Sequence, residues 1–466
     1  MKTDYLLMLR RGDPLSLRQQ LSMIVRLSLP AIMAYVSSIV MQYIDASMVG
    51  QLGLTDSASI GLVSSSTWLF GGVCADTVMG FSVQVAQEIG AGDDKTARSI
   101  MKQAFVFPFA FAVLIGGLGA LISPALPRWL GAEVSIHRGA TLYFLLYCLS
   151  LPAVQINTVS SAMLQASGNM RLPSLLHVLM CGLDVLFNLL LIFPSRVWHG
   201  IPIPGAGLGI IGAALGTALS QAVIAIPMTI ALLARSPALH LRRGERFTVS
   251  RVHLVRAVRI ALPLAAEQCV LSGAQIVSTR IVAPLGTVSI TAHSFSITAE
   301  SLCYMPGYGI GSAAATLIGQ STGAGRRELT RRLGWLTTLL GMAVMAVMAV
   351  LMYIAAPVMI GILSPDPNVV ALGTAILRIE AFAEPLYAAS IVASGVFRGT
   401  GDTLIPSILN FGSMWLVRLP LAAFMAPRIG LRGVWIAMAI ELCVRGALFL
   451  IRLAGKRWQK DALRTS

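Results

Sequence analysis

Apolar positions along this 466-residue chain run in long unbroken blocks, with neither the alternation of half-buried strands nor the short stripes of surface helices. Residues 103–127, 139–170 and 333–365 contain no Asp, Glu, Lys or Arg at all. A helix needs only about 20 apolar residues to cross the hydrocarbon core of a bilayer. Twelve such spans are predicted, at 22–50, 57–86, 99–123, 139–164, 172–194, 210–234, 257–283, 288–318, 333–360, 370–396, 404–426 and 432–453. The pattern specifies an all-α polytopic membrane protein.

Composition agrees. The chain is 56% hydrophobic and 12% charged, against roughly 25% charged in an average soluble domain. So few charges cannot cover the surface of a soluble enzyme, a secreted disulfide scaffold or a disordered chain. The net charge of +15 raises the question of nucleic acid, which the distribution of basic residues answers. With the N-terminus inside, 26 Lys and Arg fall in inner segments or at the inner ends of spans, and 5 in outer loops. That is the positive-inside bias, and it places both termini in the cytoplasm. The excess charge anchors anionic lipid and needs no nucleic-acid partner. The first apolar block is too long for a cleavable signal, so a multi-pass inner or plasma membrane protein is expected. All six cysteines lie within spans and none shows CxxC spacing, which favours buried apolar packing over disulfides or a metal site.

The chain also repeats itself. A shift of 233 positions aligns Leu29-Pro30 with Leu262-Pro263 and Leu52-Gly53 with Leu285-Gly286. It aligns Gly90-Ala91-Gly92 with Gly323-Ala324-Gly325, Pro152 with Pro385, Gly168 with Gly401, and Pro173-Ser174 with Pro406-Ser407. Each half holds six spans and starts inside, so the repeats are parallel. The expected organisation is an N-lobe over 1–234, a basic cytoplasmic linker over 235–256, and a C-lobe with a cytoplasmic tail over 257–466. Transporters of this kind bind substrate and ion near the midplane and work by alternating access.

Gly207-Leu208-Gly209-Ile210-Ile211-Gly212 fits the dinucleotide fingerprint, but no strand precedes it in the predicted pattern and no acid follows in 229–235. Gly212, Ala213, Ala214, Gly216 and Ala218 read better as small residues that allow a close helix contact. No HExxH, GxSxG or P-loop occurs, so the chain is not expected to be an enzyme and no cofactor is called for.

The ionisable residues inside spans carry the chemistry. The first half holds Asp45, Asp76 and Asp184, with no Lys or Arg in the span interiors to pair with them. A carboxylate in that medium costs several kcal/mol unless it takes a proton or holds a cation, and either outcome makes a coupling site. Asp184 and Asn188 stand i, i+4 on one helix face. Asn157 and Thr217 are candidates for the same cavity, with ordinary interhelical hydrogen bonding as the competing role. The second half mixes Glu267, Glu300, Glu380, Glu384 and Glu441 with Arg280, Arg378, Arg418 and Arg445, which favours structural pairing, Glu441 with Arg445 first. Of these, Glu267, Glu300 and Glu384 are candidates to line a cavity. Both halves place a proline in their first span, Pro30 and Pro263, which acts either as a static kink or as a hinge.

Six stretches then resemble one family. Asp45-Ala-Ser-Met-Val-Gly-Gln-Leu-Gly53 resembles the first-span signature of the multidrug and toxic compound extrusion (MATE) transporters. Gln87–Asp93, Leu164–Asn169, Asp184–Phe193, Gly212–Ser220 and Phe397–Asp402 fit it as well. The resemblance implies two six-helix lobes in a V shape and efflux of cationic amphiphilic compounds by a monomer in exchange for H⁺ or Na⁺. It implies Asp45, Asp184 and Asn188 as first-lobe coupling residues, the place for any bound Na⁺, and Pro30 as a bending proline. Leu271 stands where the NorM-like branch carries an acid, so the match is better to the DinF-like branch. An alternative within the wider superfamily is a flippase for a lipid-linked oligosaccharide, whose anionic substrate would want free arginines.

Overall fold

The computed structural model describes residues 5–131, 133–198, 201–242, 245, 248–455 and 457–459. Four residues of the expected 235–256 linker and most of the expected cytoplasmic tail lie outside the described residues. Helices follow the apolar blocks: α1 (Tyr5–Arg11), α2 (Leu17–Gly50), α3 (Leu54–Ala91), α4 (Asp94–Ile122), the short α5 (Leu126–Trp129), α6 (Val134–Ala166) and α7 (Arg171–Ile192). After a hairpin of β1 (Pro194–Trp198) and β2 (Ile201–Ala206) come α8 (Ile210–Arg235), α9 (Arg251–Val282), α10 (Thr287–Gly323), α11 (Arg327–Leu363) and α12 (Pro367–Ala381). The chain continues through α13 (Glu384–Thr400), α14 (Leu404–Gly412), a π-helical stretch (Ser413–Arg418), α15 (Leu419–Ile429) and α16 (Leu431–Ala454).

Local chemistry sets the helix starts. Before α2, Ser16 Oγ accepts from Gln19 N at 3.3 Å while Gln19 Oε1 accepts from Ser16 N at 2.8 Å, a reciprocal capping box. Before α4, Asp93 accepts from Thr96 N at 2.9 Å.

Three findings depart from the expected pattern. Ten helices among the described residues are long and apolar enough to cross a membrane. The remaining two of the twelve expected spans correspond to α10 and to the α12–α13 pair. Helix α10 is long enough but buries His293, Glu300, Thr316 and Gln320 inside the protein, which lowers its apolar content. The expected continuous span 370–396 breaks between Ala381 and Glu384, where Pro385 has no N–H to return to Ala381. The hairpin is a small exception to the all-helical expectation. It pairs Arg196 with Ile203, Val197 with Pro202 and Trp198 with Ile201. Its three prolines, Pro194, Pro202 and Pro204, fit because a two-stranded ribbon has only edges.

The internal repeat survives folding. Gly53 and Gly286, Gly92 and Gly325, and Gly168 and Gly401 are pairs 233 apart, and all six hold positive φ at the ends of helices. That backbone suits glycine, which carries no Cβ. Packing repeats too: α6 lies on α4 and on α8 in the first half, as α13 lies on α11 and on α16 in the second.

The chain forms two compact units, Met1–Val36 with Gly90–Gly92 and Ala266–Ser466, and Ser37–Ile89 with Asp93–Ala265. Helices α2 and α9 each contribute to both. The units therefore differ from the sequence halves along the first span of each half. Within the first unit, α13 is held by missing side chains. A Cβ on Gly395 would stand 2.2 Å from Gly311 O on α10, and one on Gly446 of α16 would stand 2.2 Å from Leu386 O. Without Cβ atoms the backbones approach closely, which is how helices associate where lipid removes the hydrophobic driving force.

Candidate functional site

Asp184 and Asn188 sit on the face of α7 that packs against α8, and both are buried, at 0% and 1% exposure. Asp45 reaches them from α2. Asn188 Nδ2 donates to Asp45 Oδ1 at 2.9 Å and to Asp184 Oδ2 at 3.0 Å, so one amide group bridges two carboxyls. From α8, Ser220 Oγ donates to Asp184 Oδ1 at 3.2 Å, and Thr217 also hydrogen-bonds Asp184. Tyr143 of α6 stands close enough to feel the charge of both carboxyls. Neither aspartate forms an ion pair among the described residues. Two carboxyls thus share one polar cluster whose donors are neutral. A site of that composition has the chemistry to hold a proton or a small cation.

The sequence-predicted trio is therefore assembled. Thr217 joins it, and Asn157 does not: its Nδ2 donates to Gln221 Oε1 at 2.8 Å and contacts Met180 Sδ at 3.7 Å. Three further residues matter that sequence reading missed. Ser220 lies one turn from Thr217, a spacing that would have found it. Tyr143 carried no signal. Gly216 was read only as a packing residue. A Cβ there would lie 2.1 Å from Asn188 Oδ1, so this glycine leaves the room that the bridging amide occupies. Asn188 Oδ1 itself has no hydrogen-bond donor among the described residues.

The second-half acids belong to the other unit and behave differently. Glu267 is fixed structurally, accepting from Ser407 Oγ and from Asn410 Nδ2, both at 2.6 Å. Glu441 and Arg445 pair at 3.1 Å along α16, as their spacing predicts. The contact is an ion pair without aligned hydrogen bonds, since neither Glu441 oxygen finds one. Glu300 lies within the field of Arg418 and Arg445. Glu380 and Glu384 are both 0% exposed. Neither Glu380 oxygen finds a hydrogen bond among the described residues, and Glu384 faces the thiol of Cys303, a weak donor. Glu384 occupies the first turn of α13, where the helix dipole favours an acid. Arg378 turns away to Tyr353, whose carbonyl it meets at 3.3 Å, and Arg280 is exposed. The expected neutralisation is thus partial, because only two of the four arginines reach the acids.

Pro30 lies within α2 and the helix continues through it. Prolines at 108, 152, 227, 263, 306 and 357 are likewise inside helices, so position alone does not single it out.

Comparison with known proteins places this architecture. The MatE family model matches residues 30–190 and 263–424, one match in each repeat. A probable multidrug resistance protein NorM of Thermotoga maritima is 27% identical over 450 residues, covering 95% of this chain and 94% of that protein. Another, from Chromobacterium violaceum, is 25% identical, with 97% and 98% covered. Among solved structures, a MATE protein in complex with MaL6 superposes with a TM-score of 0.86 at 21% identity, covering 97% of this chain and 99% of that one. The bent form of the Vibrio cholerae MATE transporter VcmN gives 0.86 at 17% identity, with 96% and 99% covered. With both repeats matched by the family model, the chain belongs to the MATE family of membrane transporters, and is a multi-pass secondary transporter and not an enzyme.

Proposed function

We propose that this protein exports cationic amphiphilic compounds across the plasma membrane by antiport with protons, through alternating access, with Asp45, Asp184 and Asn188 as the coupling site. One observation carries the reading: two carboxyls are tied to one amide, and among the described residues no cationic side chain pairs with either. When protons arrive from outside, the pair loses its negative charge, and with it the attraction for a cationic substrate in the same cavity. Release of the protons inside restores that attraction. Substrate and proton thus compete for one charge, which is what antiport requires. The names of the relatives, multidrug resistance proteins, suit a substrate of this class. Pro30 serves as the hinge, since it removes one backbone hydrogen bond from the helix that carries Asp45. The chain acts as a monomer.

The same oxygens, with Asn188 Oδ1, are also the set that would take Na⁺ if sodium were the coupling ion. The lipid-linked oligosaccharide alternative wants free arginines: pairing with Glu441 removes Arg445 from that role, and Arg280, Arg378 and Arg418 remain as its support. The test is dye efflux in proteoliposomes under separate proton and sodium gradients. Asp45→Asn should fold normally and lose proton-driven efflux. Wild-type rates from that variant would refute the assignment, and a sodium requirement without pH dependence would move it to cation coordination.

A further inference from the structure

The coupling site is at one end of a longer polar seam. On α7, His177, Cys181, Asp184 and Asn188 follow at spacings of four, three and four, which puts all of them on one face. On α2, Ser38 and Asp45 are seven apart and share a face in the same way. The two faces meet at two rungs. Ser38 Oγ and His177 Nε2 are 2.9 Å apart, and Asn188 Nδ2 meets Asp45 Oδ1 at 2.9 Å. Both helices therefore run the same way through the seam, as the first and fifth spans must if both start in the cytoplasm. Between the rungs, the buried Cys181 hydrogen-bonds Ser38 and lies within the field of Asp184 and Asp45. The seven residues from His177 to Asp184 rise about 10.5 Å.

We infer that His177, with Ser38, is the group through which protons leave the Asp45–Asp184 site for the cytoplasm. This rests on the proton-coupled reading above. His177 lies one and a half turns from the start of α7, at the end that the basic residues assign to the inside. Imidazole can take a proton on one ring nitrogen and give one up from the other, which suits it to hand a proton on. The proton leaves the Asp184 carboxyl for water entering the seam beside the Cys181 thiol and reaches Ser38 Oγ through it, along the roughly 10 Å that separates the two rungs. Ser38 gives its own hydroxyl proton to the free imidazole nitrogen that faces it, and the ring then loses a proton to inner water. That proton leaves from the other ring nitrogen, so His177 ends as the opposite tautomer and is reset by a ring flip or by proton exchange with inner water, Ser38 ends as it began, and the carboxyl is left charged. The groups facing His177 are Ser38 from α2 and, along α7, Cys181 with Asp184 two turns on. Helices α6 and α8, which also pack on α7, set no charged group in its field among the described residues.

The experiment compares two modes of transport by the full chain in proteoliposomes. Proton-driven efflux of a cationic dye needs the proton to be released inside; dye–dye counterflow needs no proton step. His177→Gln keeps a polar partner for Ser38 but does not titrate. It should keep wild-type counterflow, slow proton-driven efflux roughly ten- to a hundred-fold, and flatten its dependence on inner pH. Ser38→Ala, which changes little volume, should show the same selective loss and serves if His177→Gln does not fold. Wild-type efflux with an unchanged inner-pH profile in either folded variant overturns the relay. Equal loss of counterflow overturns it too, by making the pair structural. A wild-type protein that moves no protons sinks the coupling itself, and the relay with it, whereas loss of efflux in Asp45→Asn with intact efflux in His177→Gln sinks the relay alone.

Discussion

Gly216→Ala is the sharpest probe of the coupling site, because it adds one methyl group and removes nothing. The added Cβ would stand 2.1 Å from Asn188 Oδ1, 3.0 Å from its Cγ and 3.1 Å from its backbone N. Carbon and oxygen in contact need about 3.5 Å, so the amide must move by about 1.4 Å. Its two donor bonds, at 2.9 and 3.0 Å, then pass the limit at which a hydrogen bond survives. Bonds to charged or partly charged acceptors are each worth about 1.5–3 kcal/mol, so the local loss is about 3–6 kcal/mol. Alanine in place of glycine within a helix returns about 1 kcal/mol. Most of the remaining cost falls on the site and not on the fold, since the atom displaced furthest is the end of one side chain, while the backbone N at 3.1 Å has only a few tenths of an ångström to give. The expected result is a protein that still inserts and melts within several degrees of wild type, with proton-driven dye efflux down at least ten-fold. Gly182→Ala on α7 is the control, since a Cβ there meets nothing within 4 Å. Wild-type efflux and wild-type melting for Gly216→Ala would refute the claim that this glycine makes room for the bridging amide.

Arg445→Met should lower stability by about 3–5 kcal/mol by leaving Glu441 buried without its partner, and adding Glu441→Leu should restore much of it. A double variant no more stable than the worse single in a thermal-unfolding assay would show that the pair is not coupled. Outside the membrane, Glu245 is held by Arg98 at 2.8 Å and Lys102 at 3.3 Å, and the Arg98 hydrogen bond pulls its carboxyl below the usual range. Its contribution is therefore complete above the ordinary glutamate value near 4.3 and fades as pH falls through the lower folded value. Glu245→Gln should melt earlier than wild type at pH 7, with the two curves converging at acid pH, and a gap that widens on acidification would contradict the sign.

Much that depends on local pattern was legible along the chain, although the break before Pro385 and the short hairpin were not read from it. Apolar blocks specify spans because a bilayer leaves the backbone no partner but itself. The 233-residue repeat aligned the glycine pairs, and the structure gives both members of each pair positive φ because each half makes the same turns. The i, i+4 placement of Asp184 and Asn188 is a property of one helix, and so is the pairing of Glu441 with Arg445. The rest came from tertiary packing. That Asn188 donates to Asp45, 143 residues away, depends on how α2 meets α7. Asn157 looked equivalent in sequence, yet its face of α6 turns it to Gln221. Glu267 looked like a cavity acid until α14 brought Ser407 and Asn410 to it. The role of Gly216 is visible only as space, and space between helices is a property of their packing that no single helix encodes.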